Sequence, residues 1–212
     1  RTAPALLGVT VVGGALVGGV VGAHHGGLQV AYAALKTPLL LLLPPIIALP
    51  AVYATWDLLG GGPSWRRLCA GALVGMSRTA VLAAALGPLV WLCSSAGIDY
   101  HSAVLVFAGS LALAGLPGLM TVLRALPRPA ELPRVAVLTS LLVLGASFAQ
   151  TGWLLRPFVA RPTADVAFLR PLEEDIVSGL VTSQRSARGD YRGWNTESRG
   201  FLARPGAVDG EQ

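Results

Sequence analysis

Over residues 1–155, five long uncharged stretches alternate with segments that hold all of the charged residues of this part of the chain. Each stretch is close to the roughly 20 apolar residues that an α-helix needs to cross about 30 Å of hydrocarbon. A soluble protein cannot accommodate five such helices, because some face of each would have to meet water. The pattern therefore predicts an all-α, polytopic transmembrane helix bundle. The charge-free stretches are residues 2–23, 37–56, 79–98, 102–123 and 135–155.

We expect a transmembrane bundle in residues 1–155 and a polar, extramembrane C-terminal tail in residues 156–212. Within the tail, Pro171 precedes apolar residues at helical spacing, which predicts a short amphipathic helix near 171–184. The five predicted spans cover about residues 4–23, 37–58, 68–95, 102–123 and 135–155.

Composition and charge support the membrane interpretation. Charged residues make up 13% of the 212 residues, whereas soluble domains contain about a quarter. Residues 1–155 hold eight basic and three acidic residues, which accounts for the whole net charge of +5, and the tail holds eight of each. A basic excess confined to the membrane part is typical of topology signals and anionic-lipid contact, so we expect no nucleic-acid partner.

Basic residues near the span ends predict that the N-terminus is cytoplasmic and the tail lies outside. Only Lys36, Arg156 and Arg161 fall on the outer side, where Trp153 and Arg156 are interpreted as interfacial anchors at the end of the fifth span. The excess of Arg over Lys, with abundant Ala and Gly, suggests a bacterial inner-membrane protein. The basic residues on the cytoplasmic side are Arg1, Arg66, Arg67, Arg124, Arg128 and Arg134.

Glycines recur every four residues along the first span, at Gly14, Gly18 and Gly22. They form a strip without side chains on one helix face, where a second backbone can approach closely. That second helix is either another span of the same chain or a span of another subunit, and the sequence leaves both open.

Arg78 brings a charge into the third span, where insertion costs at least about 2.5–3.5 kcal/mol. If the chain turns near Gly62, Arg78 and Ile46 lie at the same depth, sixteen residues from the turn on either side. Pro50 lacks the N–H that would bond to the Ile46 carbonyl. One hypothesis is that Arg78 donates to that carbonyl. In the alternative, Arg78 lies nearer the cytoplasmic interface and its guanidinium snorkels towards water.

Four residues form a candidate metal site in two predicted outer loops: His24, His25, Asp99 and His101. Imidazole and carboxylate groups bind copper or zinc, but neighbouring histidines point apart and no fourth ligand is fixed. The alternative is that these histidines are solvated loop residues. We expect no cofactor, and we lean against an enzyme because the chain has no G-x-S-x-G, H-E-x-x-H or phosphate-binding glycine loop.

Two segments resemble a group of uncharacterised bacterial multispan proteins. The first, within residues 22–53, is Leu28-Gln29, then Ala34-Leu35-Lys36-Thr37-Pro38 with a leucine run, then Pro50-Ala51-Val52-Tyr53. The second is Gln150, Trp153 and Leu155-Arg156-Pro157-Phe158. The group is distantly similar to the five-span Yip family of membrane-trafficking proteins, which have cytosolic N-termini. The resemblance covers much of residues 20–160, not the polar final thirty, and implies five spans, no enzyme and no catalytic residues.

These observations favour a non-enzymatic membrane protein that acts by assembly, as an accessory subunit of a membrane complex or as a membrane-organising scaffold. We expect a protein partner, or a second copy, to bind through the first span and the tail. The alternative is an oligomeric channel or permease component, with Arg78 and the proline-containing second span lining a path. A third possibility is a metal-handling or enzymatic membrane protein that uses the outer histidines.

Overall fold

The computed structural model describes residues 2–24, 26–58, 63–98, 100–126, 134–155, 158 and 168. The regular elements within these residues are five α-helices, each long and apolar enough to cross a membrane. This confirms the predicted all-α, multi-pass fold. The helices are α1 (Thr2–Gly22), α2 (Leu28–Leu58), α3 (Trp65–Ser95), α4 (Tyr100–Ala125) and α5 (Arg134–Leu154).

The second helix begins earlier than the sequence predicted. Gly26 and Gly27 have φ angles of 80° and 57°, in the left-handed region that glycine adopts without strain, and the chain reverses there. The helix then begins at Leu28 and runs for 31 residues. The expectation that Lys36 lies in an outer loop is therefore wrong, because Lys36 lies in the ninth position of a continuous helix. Four prolines also lie inside α2: Pro38, Pro44, Pro45 and Pro50.

Local signals define both ends of α3. The Ser64 hydroxyl oxygen accepts a hydrogen bond from the backbone N–H of Arg67, 3.4 Å away, which caps the first turn. At the other end, Gly97 has a φ of 77°, a conformation that stops the helix and favours glycine. The helix between them spans 31 residues and carries Arg78 near its middle.

Three helices form the centre of the bundle and two lie outside it. The first helix, α1, packs along both α2 and α3, which touch each other over a smaller area. The outer helix α4 packs against α3, and α5 packs against α2. Over the most apolar 18 residues of each helix, 39–44% of the residues are buried in α1, α2 and α3, but only 22% are buried in α4 and in α5. Most of the surface of α4 and α5 is therefore not covered by the other described helices.

Two apolar clusters hold the outer helices in place. The first joins α2 to α3, α4 and α5 around Trp56, whose indole N–H donates to the Ser140 hydroxyl of α5 at 2.9 Å. The second joins α1, α3 and α4 around Phe107, and Phe158 packs against it. Phe107 and Phe158 have ring centroids 5.4 Å apart.

Candidate functional site

The glycine strip of α1 is covered by α2 of the same chain. A side chain at Gly14 would come within 3.2 Å of Pro38, and one at Gly22 within 2.6 Å of the Gln29 carbonyl. At Gly18, an added carbon would overlap the Ala33 carbonyl and lie 2.6 Å from the Thr37 hydroxyl. Of the two interpretations, the structure shows the contact within the chain, so this face of α1 is not open to a partner.

A polar pair joins α1 to α3 at the level of Arg78. The hydroxyl oxygens of Thr10 and Ser77 lie 3.2 Å apart, and the Ser77 hydroxyl is 2.8 Å from the Leu6 carbonyl. Both side chains are buried, and each has hydrogen-bond partners, so neither carries an unsatisfied hydroxyl into the apolar interior. Ser77 therefore faces α1, while the next residue, Arg78, faces another way.

The partner of Arg78 is Thr121, not Ile46. Its guanidinium Nη1 donates to the Thr121 hydroxyl at 2.9 Å, and Ile46 has 65% of its side chain exposed. The expected partner is wrong because α3 packs mainly on α4 and α1 rather than on α2. Thr121 lies four residues before the end of α4, so the guanidinium contacts α4 about one turn from its end, at a level about 20 Å along α3 from Trp65.

Glycines also bring α3 and α4 together, and the sequence analysis missed them. A side chain at Gly75 would lie 2.8 Å from the Gly118 carbonyl, and one at Gly71 would lie 2.5 Å from Ala125. Gly71 and Gly75 have the same four-residue spacing as the α1 glycines, so this spacing was a usable signal. This close contact fixes which residues of α4 can reach Arg78.

A second feature that the sequence analysis missed is a buried polar cluster on the first third of α2. Gln29 and Lys36 are both fully buried. The Gln29 side-chain amide donates to the Phe158 carbonyl at 2.7 Å, and the Lys36 ammonium lies 5.0 Å from the centre of the Phe168 ring. Tyr32 meets the Phe168 ring edge-on at 5.2 Å. The polar cluster thus binds residues that follow α5, which local sequence around Lys36 does not indicate.

The candidate metal ligands and the proposed interfacial anchors lie only partly within the described residues. His24 is half-buried in the turn after α1, and His101 belongs to the first turn of α4. His25 and Asp99 lie outside the described residues, so the metal site stays a prediction. Trp153 is half-buried near the end of α5, while Arg156 and the predicted helix near 171–184 also lie outside the described part. The interfacial role of Trp153 and Arg156 therefore stays a prediction.

The fifth helix has one face buried against α2 and an opposite face that is open. The buried face includes Ser140, Leu144 and Thr151. We define the outer face of α5 as five exposed residues at alternating spacings of three and four: Val135, Leu138, Leu142, Gly145 and Ala149. Apart from the backbone of α5 itself, no described atom lies within 4 Å of the position that a Gly145 side chain would occupy, and Gln150 is exposed beside this face. The side chains on this face therefore become smaller towards the end of α5.

Comparison with known proteins identifies no relative: no family model, curated protein or solved structure matches the chain.

Proposed function

We propose that this chain is a non-enzymatic integral membrane protein that acts by assembly, as an accessory subunit of a membrane complex or as a membrane-organising scaffold. The observation that carries the proposal is the outer face of α5. The proposed assembly surface is therefore on α5 rather than on α1, where the glycine strip is covered by α2. A contribution of the tail to assembly remains part of the proposal.

The size and spacing of the side chains on this face suit the close approach of a second helix. Exposed leucines alone do not drive association in a membrane, because lipid tails are equally apolar. Small residues such as Gly145 and Ala149 let a second backbone approach closely, and the three–four spacing is that of a helix–helix seam. The Gln150 amide, exposed beside the seam, supplies a hydrogen-bonding group that a partner helix can satisfy.

We further propose a bacterial inner membrane location, with the N-terminus cytoplasmic and the tail outside. Because Lys36 is buried within α2, it no longer counts as a loop charge. Six basic residues then lie on the proposed cytoplasmic side, against Arg156 and Arg161 on the other. The corrected count supports the same orientation more strongly than the original one did.

The test compares Gly145→Leu on α5 with Gly109→Leu on α4, a matched control. Both glycines are exposed and have open space around them. After solubilisation of the full chain in mild detergent, we expect the wild type and Gly109→Leu to run as the same larger complex. The Gly145→Leu variant should run as a smaller species with an unchanged melting temperature. A wild-type chain that is monomeric and binds no partner, or a complex indifferent to Gly145→Leu, would contradict the proposal.

One observation favours an oligomeric channel or permease component as a second candidate. Gln29, Lys36 and Thr37 are buried polar side chains on α2, and that helix also contains four prolines. Buried polar groups in membrane helices often mark ion or substrate pathways, and each proline within α2 leaves a backbone carbonyl without its usual helix hydrogen bond. The test is the ion conductance, in planar bilayers, of a complex made only of this chain. Ion conductance that falls in the Lys36→Met variant would support this candidate. A hetero-complex without conductance would support the accessory-subunit proposal.

A further inference from the structure

The surroundings of Arg78 have the properties of a lipid-facing anion site. Arg78 is exposed on α3, and its guanidinium reaches the Thr121 hydroxyl of α4. Arg124, also exposed, follows three residues later on α4, about 4.5 Å further along the helix axis. Both exposed cations therefore lie beside the last turns of α4.

The hydrogen-bonding capacity of Arg78 is only partly used within the described residues. A guanidinium has five N–H donors in a planar fork, and the hydrogen bond seen in the described part of the chain uses one of them. Asp57 is the only carboxylate among the described residues; it is exposed at the end of α2, and no ion pair joins it to Arg78. A charged group at a membrane helix surface is costly unless an anion or water meets its remaining donors.

The side chains around Arg78 on the surface of α3 and α4 are apolar and exposed. Val74 and Val81 lie about one turn away on either side of Arg78 on α3, and Met120 precedes Thr121 on α4. All three are exposed, Met120 by 51%. A ligand for this site therefore needs an anionic group that accepts from Arg78 and an apolar part that covers the neighbouring valine and methionine side chains.

We propose that Arg78, Thr121 and Arg124 bind the phosphate of an anionic phospholipid, with its acyl chains along the exposed apolar surface of α3 and α4. Phosphate suits the remaining N–H donors of the Arg78 guanidinium, because two parallel N–H groups can donate to two phosphate oxygens. Basic sites between transmembrane helices near the cytoplasmic side bind anionic headgroups in this way. The site does not depend on the assembly proposed for α5, since it lies on α3 and α4.

The experiment reconstitutes the full chain in nanodiscs of phosphatidylcholine with or without phosphatidylglycerol and counts retained lipid by native mass spectrometry. We expect wild-type protein to retain phosphatidylglycerol in preference to phosphatidylcholine. Loss of the charge-assisted hydrogen bonds in Arg78→Gln should weaken this retention about tenfold. Arg66→Gln removes an equal charge from another exposed position on α3 and should retain the lipid as the wild type does.

If Arg78→Gln does not fold, Thr121→Val, which removes the hydroxyl that orients the guanidinium, should weaken phosphatidylglycerol retention with a smaller effect. Equal loss in Arg66→Gln and Arg78→Gln would show that only net charge matters and would overturn the site. Displacement of the lipid by millimolar inorganic phosphate would also overturn it, since the apolar surface would then contribute nothing.

Discussion

The first and fifth helices both carry small residues along one face, yet they use them differently. On α1 the face of Gly14, Gly18 and Gly22 is buried against α2. On α5 the face that contains Gly145 and Ala149 points away from the bundle. The comparison teaches that small-residue spacing indicates a close helix approach without indicating which helix approaches. Burial distinguishes a contact already made within the chain from one that is still open.

The largest effect is expected for Gly18→Leu. An added side chain would overlap the Ala33 carbonyl, which can move only if α1 and α2 separate. Such overpacking costs about 3 kcal/mol, whereas leucine favours the helix over glycine by only about 1 kcal/mol. We therefore expect a marked fall in melting temperature in detergent, measured by the loss of helical circular dichroism. Gly8→Leu, at an exposed glycine of the same helix with open space around it, is the control and should melt like the wild type. Equal stability of the two variants would contradict the packing of α1 against α2.

A smaller effect on stability is expected for Trp56→Phe, which weakens the contact between α2 and the buried face of α5. The substitution removes the hydrogen bond from the buried indole to Ser140 and leaves a small gap. A net hydrogen bond contributes about 1 kcal/mol, so we expect a loss of stability of about that size or slightly more. Trp91→Phe, at a tryptophan that is 56% exposed, is the control. In a double-mutant cycle with Ser140→Ala, the absence of coupling would mean that this bond does not hold α5 to α2.

The smallest effect is expected for Gln150→Leu, beside the outer face of α5. Hydrogen bonds between membrane helices contribute about 0.6 kcal/mol on average and rarely more than about 1.7. We expect the fraction of assembled protein to fall by a factor of about three at fixed concentration, with no change in the melting temperature of the chain itself. Cross-linking in native membranes measures the assembled fraction. A change in melting temperature without a change in assembly would place Gln150 in the fold rather than at the interface.

The sequence was least informative where a polar residue is bound by a distant part of the chain. Lys36 was assigned to a loop because its charge directly precedes the charge-free run that begins at residue 37, an ordinary sign of a span boundary. Its burial depends on Phe168, which lies 132 positions later and cannot be inferred from the residues around Lys36. One of the two hypotheses for Arg78 paired it with Ile46 by counting residues along the α2–α3 hairpin. The count assumed that consecutive helices pack side by side, whereas α3 packs mainly on α4 and α1.

The number and approximate position of the helices were determined by the sequence alone. Hydrophobic length is a local property, and a charge-free run of about 20 residues must form a helix in lipid to satisfy its backbone groups. The tertiary structure decided what each face contacts: α2 covers the α1 glycines, Thr121 binds Arg78, and the outer face of α5 stays uncovered. The physical reason is that all five helices are similarly apolar, so hydrophobicity does not select neighbours. Close packing and a few hydrogen bonds between distant residues make that selection.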